Sequence, residues 1–408
     1  MIGGGTAGVA AAKESANRGA RVTLFESSAS LQVERSAWSS LLDETATSAA
    51  EGRTEELRHA GVETKLGATV RAVDVDGTVR AHDGSWRFDS VVLATGARQV
   101  EEGIPGNHRA GVHVLRDERA YAALGRDVRS YSQVALCGSG PAALEVANWL
   151  VSRGIRVTLF TAAGIAWSLL SGDLSRRLEH AIAAAGVSQV SSKPERIAGI
   201  DKVEAVIAGG SVYPCQALVI VPRTRPNPLG IPIRKGRLGG VVVNSEMKSD
   251  WKKVFAAGAC AEVTAGSATL NYDSDSSARA MGAAAGANSC GAHVSPRISG
   301  CIRKEVFGIG IVVAGLGLEA CLSIGLRAQE STAIARDQLV CSLVYEEGSL
   351  RLWGVQLIGR GAGAYEQAAA FMVTGSIGMD EVAYQEFPPS VDPSPLILAA
   401  TEVLRRRS

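Results

Sequence analysis

Gly3-Gly4-Gly5-Thr6-Ala7-Gly8, a helical stretch to Asn17, and then Arg21-Val22-Thr23-Leu24-Phe25-Glu26 form the segment that decides the fold, because the chain carries it twice. The second copy is Val134-Ala135-Leu136-Cys137, then Gly138-Ser139-Gly140-Pro141-Ala142-Ala143, a helix to about Ser152, and Arg156-Val157-Thr158-Leu159-Phe160-Thr161. Gly3 to Glu26 and Gly138 to Thr161 both span 23 residues, and the same pentapeptide closes each copy. Each copy reads as strand, glycine turn, helix and second strand. In such a unit the first glycine allows the sharp turn and the second lets the backbone approach a pyrophosphate. The third position, Gly8 or Ala143, lets helix and strand pack closely. The anion then rests on the helix N-terminus, where unpaired N–H groups and the dipole favour negative charge. One such turn is a weak signal. Two in the same spacing predict a pair of nucleotide-binding units, with Gly3, Gly5, Thr6, Ala7, Gly8, Gly138, Gly140 and Ala143 as cofactor-binding residues.

Glu26 ends the second strand of the first copy, where a carboxylate accepts hydrogen bonds from ribose hydroxyls. Thr161 takes that place in the second copy. It is neutral, so it offers neither a carboxylate for a 2′-hydroxyl nor a cation for a 2′-phosphate, and the sequence predicts weak discrimination between NAD and NADP. Arg176 and Arg177 lie further on and read as a solvated helix face.

The rest of the chain sets limits. At 408 residues it exceeds the ~250–300 at which a single core stops growing, so two or three domains are expected. With 42 basic and 41 acidic residues it has no electrostatic footprint for nucleic acid or an anionic membrane. No run approaches a bilayer span; the nearest, over 205–222, is broken by Gly209, Gly210, Pro214 and Gln216. No signal peptide is visible, so a cytoplasmic protein is the expectation. The seven cysteines show neither CxxC spacing nor a cysteine–histidine cluster, and they read as free buried thiols rather than metal ligands.

Other segments carry a resemblance. Val91-Val92-Leu93-Ala94-Thr95-Gly96-Ala97-Arg98 precedes Ile104-Pro105-Gly106, and Arg225-Pro226-Asn227 and Val254-Phe255-Ala256-Ala257-Gly258-Ala259-Cys260-Ala261-Glu262 follow. A helical run over 277–291, the stretches 313–325 and 354–359, and Phe387-Pro388-Pro389 with Asp392-Pro393 complete the set. Together they resemble the two-dinucleotide-domain pyridine nucleotide–disulfide oxidoreductases, nearest the NADH oxidase and coenzyme A-disulfide reductase branch. The resemblance spans nearly the whole chain. It implies an α/β fold of two Rossmann-like domains, for FAD and NAD(P), plus a C-terminal α+β dimerisation domain. FAD would bind 1–108 with 226–292, the nicotinamide nucleotide 109–225, and 293–408 would form the interface. It adds Ala94, Thr95, Gly96, Gly258, Ala259 and Glu145 to the cofactor-binding residues. Strands over 339–345 and 350–357 around Glu346-Glu347-Gly348, and a helix over 363–374, fit the C-terminal part.

The chain also departs from that family. No cysteine precedes Cys137, although disulfide-type members keep one beside the flavin; Trp38 or Ser39 falls there. A serine hydroxyl cannot cycle through thiolate and disulfide. Ala259 stands where an aspartate usually bonds the ribityl chain, at a cost on the order of 1 kcal/mol of binding, or ~2–3 with a charged partner. Pro141-Ala142 and Arg223 alter the nicotinamide signature, while Glu145 keeps it. Only Met1 and Ile2 precede Gly3, so either the first strand begins upstream or something else fills its central slot. The C-terminal tail lacks a histidine–glutamate pair, and the catalytic residues stay unassigned. Two readings follow. One is an FAD-dependent NAD(P)H oxidoreductase passing electrons, without a redox cysteine, to oxygen, a quinone, a dye or a carrier protein. The other is a non-catalytic paralogue or partner subunit that keeps the fold and nucleotide. The apolar stretches 306–318, 354–358 and 368–373 predict a homodimer whose Phe387-Pro388-Pro389 tail reaches the partner's flavin.

Overall fold

The computed structural model describes the chain apart from residues 33, 35–37, 44–48, 101–102, 162–169, 266–267, 336–337, 387–393 and 407–408. The tail over 387–393 therefore lies outside the described residues. The chain divides into two compact units, Met1–Val100 with Arg223–Ile298, and Glu101–Pro222 with Ser299–Ser408.

The first unit is built on a parallel sheet. Glu63–Leu66 pairs with Thr23–Glu26, and Val91–Leu93 pairs with Val254–Ala256. Thr23–Glu26, Val91–Leu93 and Val254–Ala256 are buried along their whole length, as expected of strands covered on both faces. Residues 1–3 fill the slot between these two pairs. Ile2 donates to Val92 (3.0 Å) and Gly3 to Phe25 (2.8 Å), while Phe25 donates to Met1 (2.9 Å) and Ala94 to Ile2 (2.8 Å). Four hydrogen bonds over three residues thus close a sheet that the sequence leaves short at its centre.

The helix Thr6–Asn17 runs beside Asp275–Ser289. Small residues set their separation. A methyl group at Gly282 would collide with the Ala7 carbonyl, and one at Gly286 with the Ala11 carbonyl. Ser15 ties the pair by donating its hydroxyl to the Gly286 carbonyl (3.0 Å).

The second unit holds the second glycine turn on a five-stranded parallel sheet, ordered Ser188–Val190, Arg156–Phe160, Gln133–Cys137, Ala217–Ile220, Val112–Val114. Here the central strand has five residues. The expected helix to Ser152 is present as Pro141–Ser152. Beyond it, Ile302–Val306, Ile309–Gly315, Leu352–Gly359, Val340–Glu346 and Ala328–Ile334 form an antiparallel sheet in that order. One face carries Val312, Ala314, Leu343, Val355 and Leu357 into a core shared with Glu366–Thr374, Met379–Tyr384 and Ser394–Arg405. The apolar stretches that predicted a dimer are therefore largely spent inside this domain: Ile311–Ala314 and Val355–Ile358 sit in the sheet, and Ala369 and Met372 sit beneath it.

Gly286→Val tests the helix contact. Alanine at a helical glycine gains about 1 kcal/mol of propensity, but a branched side chain against the Ala11 carbonyl forces the helices apart at about 1–3 kcal/mol. The urea midpoint should fall. A midpoint equal to wild type would show that the helices do not meet at Gly286.

Candidate functional site

The first glycine turn is a point of closest backbone approach. Gly3 has φ +104°, and a Cβ there would strike the Ala94 carbonyl. A Cβ on Gly8 would strike the Gly3 carbonyl, and one on Gly258 would lie 2.9 Å from the Ala7 methyl. The turn, the first turn of the helix, residues 94–96 and the Gly258–Cys260 turn are thereby held together. Thr6 donates its hydroxyl to Asp275 (3.2 Å), a carboxylate that no sequence motif singles out. Thr95 donates its hydroxyl to the Asn227 carbonyl, and Asn227 donates to Gly96 (3.0 Å).

The helix that starts after Gly5 has no side-chain cap and no acidic residue in its first turn. The helix after Gly140 is the same, with Pro141 at its start. By contrast, Ser274 caps Asp275–Ser289 and Asp117 caps Glu118–Asp127 with their own oxygens. Uncapped N–H groups at the two glycine turns form an anion seat.

Glu26 stands beside the first seat, 3% exposed. Its carboxylate accepts from the Gly4 N–H (2.6 Å), the Ser28 N–H (2.7 Å) and the Ser27 hydroxyl (3.1 Å). A carboxylate has about four acceptor positions, so these fix its orientation and leave capacity for a hydroxyl donor. Ala259 lines a cavity of about 350 Å³ together with Arg225, Arg237, Asn271 and Asp273. Asn271 donates to the Ala259 (3.0 Å) and Ala261 (2.8 Å) carbonyls, which places its amide at that turn. Asn271 and Asp273 are site residues that sequence reasoning missed. They come from the poorly patterned approach to a helix, where only their polarity gave a signal.

At the second turn Gly138 has φ +152°, and a Cβ there would press on Ala143 (2.9 Å) and Val221 (3.2 Å). Thr161 is 3% exposed, and its N–H donates to Val190 (2.9 Å). Glu145 does not join this group. Its carboxylate accepts from Lys304 of the C-terminal sheet (2.6 Å), next to Asn148, which accepts from the Phe307 N–H (2.8 Å). Arg176 and Arg177 line a cavity against the C-terminal sheet. Trp38 and Ser39 open a short helix, half-buried.

The residues 1–285 match the family model for pyridine nucleotide-disulphide oxidoreductases. The chain belongs to this family. It is 27% identical over 369 residues to an NADH oxidase of Methanocaldococcus jannaschii, covering 83% of this chain and 80% of the relative. It is 28% identical over 200 residues to a nitric oxide reductase FlRd-NAD(+) reductase of Klebsiella pneumoniae, covering 45% of this chain and 50% of that one. Its fold resembles a NAD-dependent persulfide reductase from A. fulgidus at TM-score 0.88 and 21% identity, over 100% of this chain and 83% of the other. The expected two-dinucleotide-domain flavoprotein fold is therefore the observed one. The chain is an oxidoreductase, with FAD and NAD(P)H as its cofactors. Among the described residues no helix is long and apolar enough to cross a membrane.

The thiols are mostly unreactive. Cys137, Cys215, Cys260, Cys321 and Cys341 are buried, but Cys290 is exposed and Cys301 half-buried, so the expectation of uniformly buried thiols fails at these two. Burial pushes Cys215, Cys301 and Cys321 up to about 11, and Cys341 and Cys260 upward as well. Cys260 donates to the Leu93 and Ala257 carbonyls, both at 3.3 Å. Thiols raised in this way stay protonated at pH 8, while those of the unfolded chain ionise from about 8.5. The unfolded state then binds fewer protons, so stability should fall as pH rises from about 8.5 towards 11. At pH 8 Ellman's reagent should label Cys290 first, and that fast phase should vanish in Cys290→Ser. A fast phase that persists in the variant would overturn this reading.

Proposed function

We propose that this chain takes hydride from NAD(P)H onto FAD and hands the electrons to an acceptor that is not a disulfide. Residues 1–108 with 226–292 hold FAD, 109–225 hold the nicotinamide nucleotide, and 293–408 form an interface with a second copy. The observation that carries the reading is the buried Glu26 carboxylate, oriented by Gly4 and Ser28 beside an uncapped helix start.

The fit to FAD rests on a cradle that added methyl groups would fill. Gly3, Gly5, Thr6, Ala7 and Gly8 receive the pyrophosphate, and Glu26 takes the ribose hydroxyls. Residues 94–96 and Gly258 wall the cradle. Asn271 and Asp273 stand beside Ala259 and offer polar groups to the ribityl chain where a methyl cannot. Gly138, Gly140 and Ala143 form the second seat, and Thr161 meets the second ribose without selecting its phosphate. Bound FAD supplies two-electron acceptance from the nicotinamide and onward transfer. The chain's part is to bind, orient and exclude water.

The non-disulfide acceptor is supported by the lack of any cysteine before Cys137 and by the buried, protonated Cys260. The acceptor class is oxygen, a quinone, a dye or a carrier protein, and the names of the relatives above include an oxidase and a reductase paired with another redox protein. The purified protein should be yellow and bleach with NADH or NADPH under anaerobic conditions. Glu26→Ala should lower FAD occupancy several-fold through loss of charge-assisted hydrogen bonds. A colourless protein that FAD does not reconstitute would overturn the proposal.

The second copy is supported by apolar side chains left open on the C-terminal helices, Phe371 (72% exposed) and Tyr384 (85%). Sedimentation at micromolar concentration should give a dimer, and Phe371→Asp should weaken it. A stable wild-type monomer would refute it.

A further inference from the structure

A cavity of about 1070 Å³ lies within the second unit, between the helix Gly172–Ala184 and the C-terminal sheet. None of the predicted cofactor-binding residues lines it. The helix lines it with Asp173, Arg176, Arg177 and His180, whose spacing of three, four and seven residues puts them on one face. Asp173 neutralises Arg176. Arg177, His180 and Arg360, which follows the strand Leu352–Gly359, have no ion-pair partner among the described residues.

The opposite wall is apolar. Ile334 pairs with Val340 and Val340 with Ile358, so the three stand in one row on one face of neighbouring strands. Ile309 continues the wall on the next strand, two residues from Ile311, the partner of Ile358. Strands about 4.8 Å apart make this strip about 14 Å long. Ile334 is 58% exposed, a large apolar side chain left uncovered on that wall.

The Ser171 hydroxyl and the Gln356 side-chain nitrogen are buried without hydrogen-bond partners among the described residues, but neither residue lines the cavity. Gln356 shares its sheet face with Ile358, is 1% exposed, and accepts the Ser171 N–H (2.7 Å) at the start of the helix Gly172–Ala184.

We propose that this cavity binds an amphipathic organic anion. Its carboxylate or phosphate is held by Arg177, His180 and Arg360, and its apolar body lies along Ile309 and Ile334, over a floor in which Val340 and Ile358 are already buried. A bare ion would leave Ile309 and Ile334 unused, and a neutral hydrocarbon would leave the Arg177 and Arg360 guanidinium groups unpaired. The site is separate from both glycine turns, so its ligand does not compete with FAD or the nicotinamide nucleotide for a seat.

Calorimetric titration of the flavin-loaded full chain with decanoate, decyl phosphate and inorganic phosphate tests this. Decanoate or decyl phosphate should bind at least tenfold more tightly than inorganic phosphate, and whichever binds better identifies the head group. Arg177→Glu with Arg360→Glu should weaken that binding at least tenfold, as should Ile334→Asp, while the flavin absorbance stays that of wild type. If the double variant does not fold, the exposed Arg360→Ala takes its place and should weaken binding several-fold. Lack of binding by both alkyl anions, equal binding of inorganic phosphate, or unchanged affinity in the variants would each overturn the proposal. None of these outcomes depends on catalytic turnover.

Discussion

The Gly3 and Gly8 backbones meet with no room for a side chain at either position, and the first unit is arranged around that contact. A carbonyl oxygen against a Cα is a contact that only glycine permits. It brings the start of the helix Thr6–Asn17 under the end of the central strand slot. It also lets residues 94–96 and the Gly258 turn close in from the other side. The helix N–H groups, left uncapped, then open beside Glu26. A single methyl at Gly8 would push the helix away from the strand, and the anion seat, the orientation of Glu26 and the Gly282–Gly286 helix contact would shift together. Tight packing makes this failure abrupt, because interiors at crystal-like density transmit displacement and do not absorb it.

The two copies of the unit show how far one topology can diverge. In the second, Gln133–Cys137 supplies a full central strand between Arg156–Phe160 and Ala217–Ile220. In the first, residues 1–3 take that place with four hydrogen bonds, between Thr23–Glu26 and Val91–Leu93, both buried along their length. The strand ends diverge in charge. Glu26 is a buried carboxylate fixed by backbone donors, whereas Thr161 is buried and neutral. The glutamate one helical turn into the second copy is drawn into an ion pair with Lys304, which ties the helix Pro141–Ser152 to the C-terminal sheet. Both helices start without a side-chain cap, and beside the first a buried carboxylate is fixed by backbone donors.

Most of the fold was legible in the sequence because it depends on backbone sterics, and glycine spacing records those directly. The duplicated turn, both helices and the paired C-terminal strands were readable for this reason. What was not legible depends on tertiary contact. Nothing in the chain announces that residues 1–3 take the central slot, because that depends on Phe25, Val92 and Ala94 presenting free groups at the right register. Asn271 and Asp273 lie in a segment without periodicity, so only the fold brings them to Ala259. The apolar stretches 306–318 and 354–358 read as an interface because hydrophobicity alone does not distinguish a surface from a core. The alternation of side chains across the sheet turns Val312, Val355 and Leu357 into the core shared with the C-terminal helices. Arg176 is exposed, as a solvated helix face requires, but the cavity it shares with Arg177 depends on a sheet that is remote in sequence.

The departures from the family pattern fall on one side of a physical division. The proposed pyrophosphate and ribose recognition rests on backbone N–H groups, glycine clearances and one carboxylate, most of which side-chain substitution cannot alter. Ala259 and the cysteine-free stretch before Cys137 touch positions where side chains alone carry the chemistry. Such positions drift without loss of the fold, because a missing hydroxyl or carboxylate contact costs on the order of 1–3 kcal/mol, whereas an added methyl at Gly3 or Gly8 meets a carbonyl it cannot displace. Cofactor seats of this kind therefore outlast the chemistry at the reacting end. In such a fold the backbone geometry that accepts a dinucleotide and the side chains at the reacting end are set by separate constraints, so one can change while the other is kept.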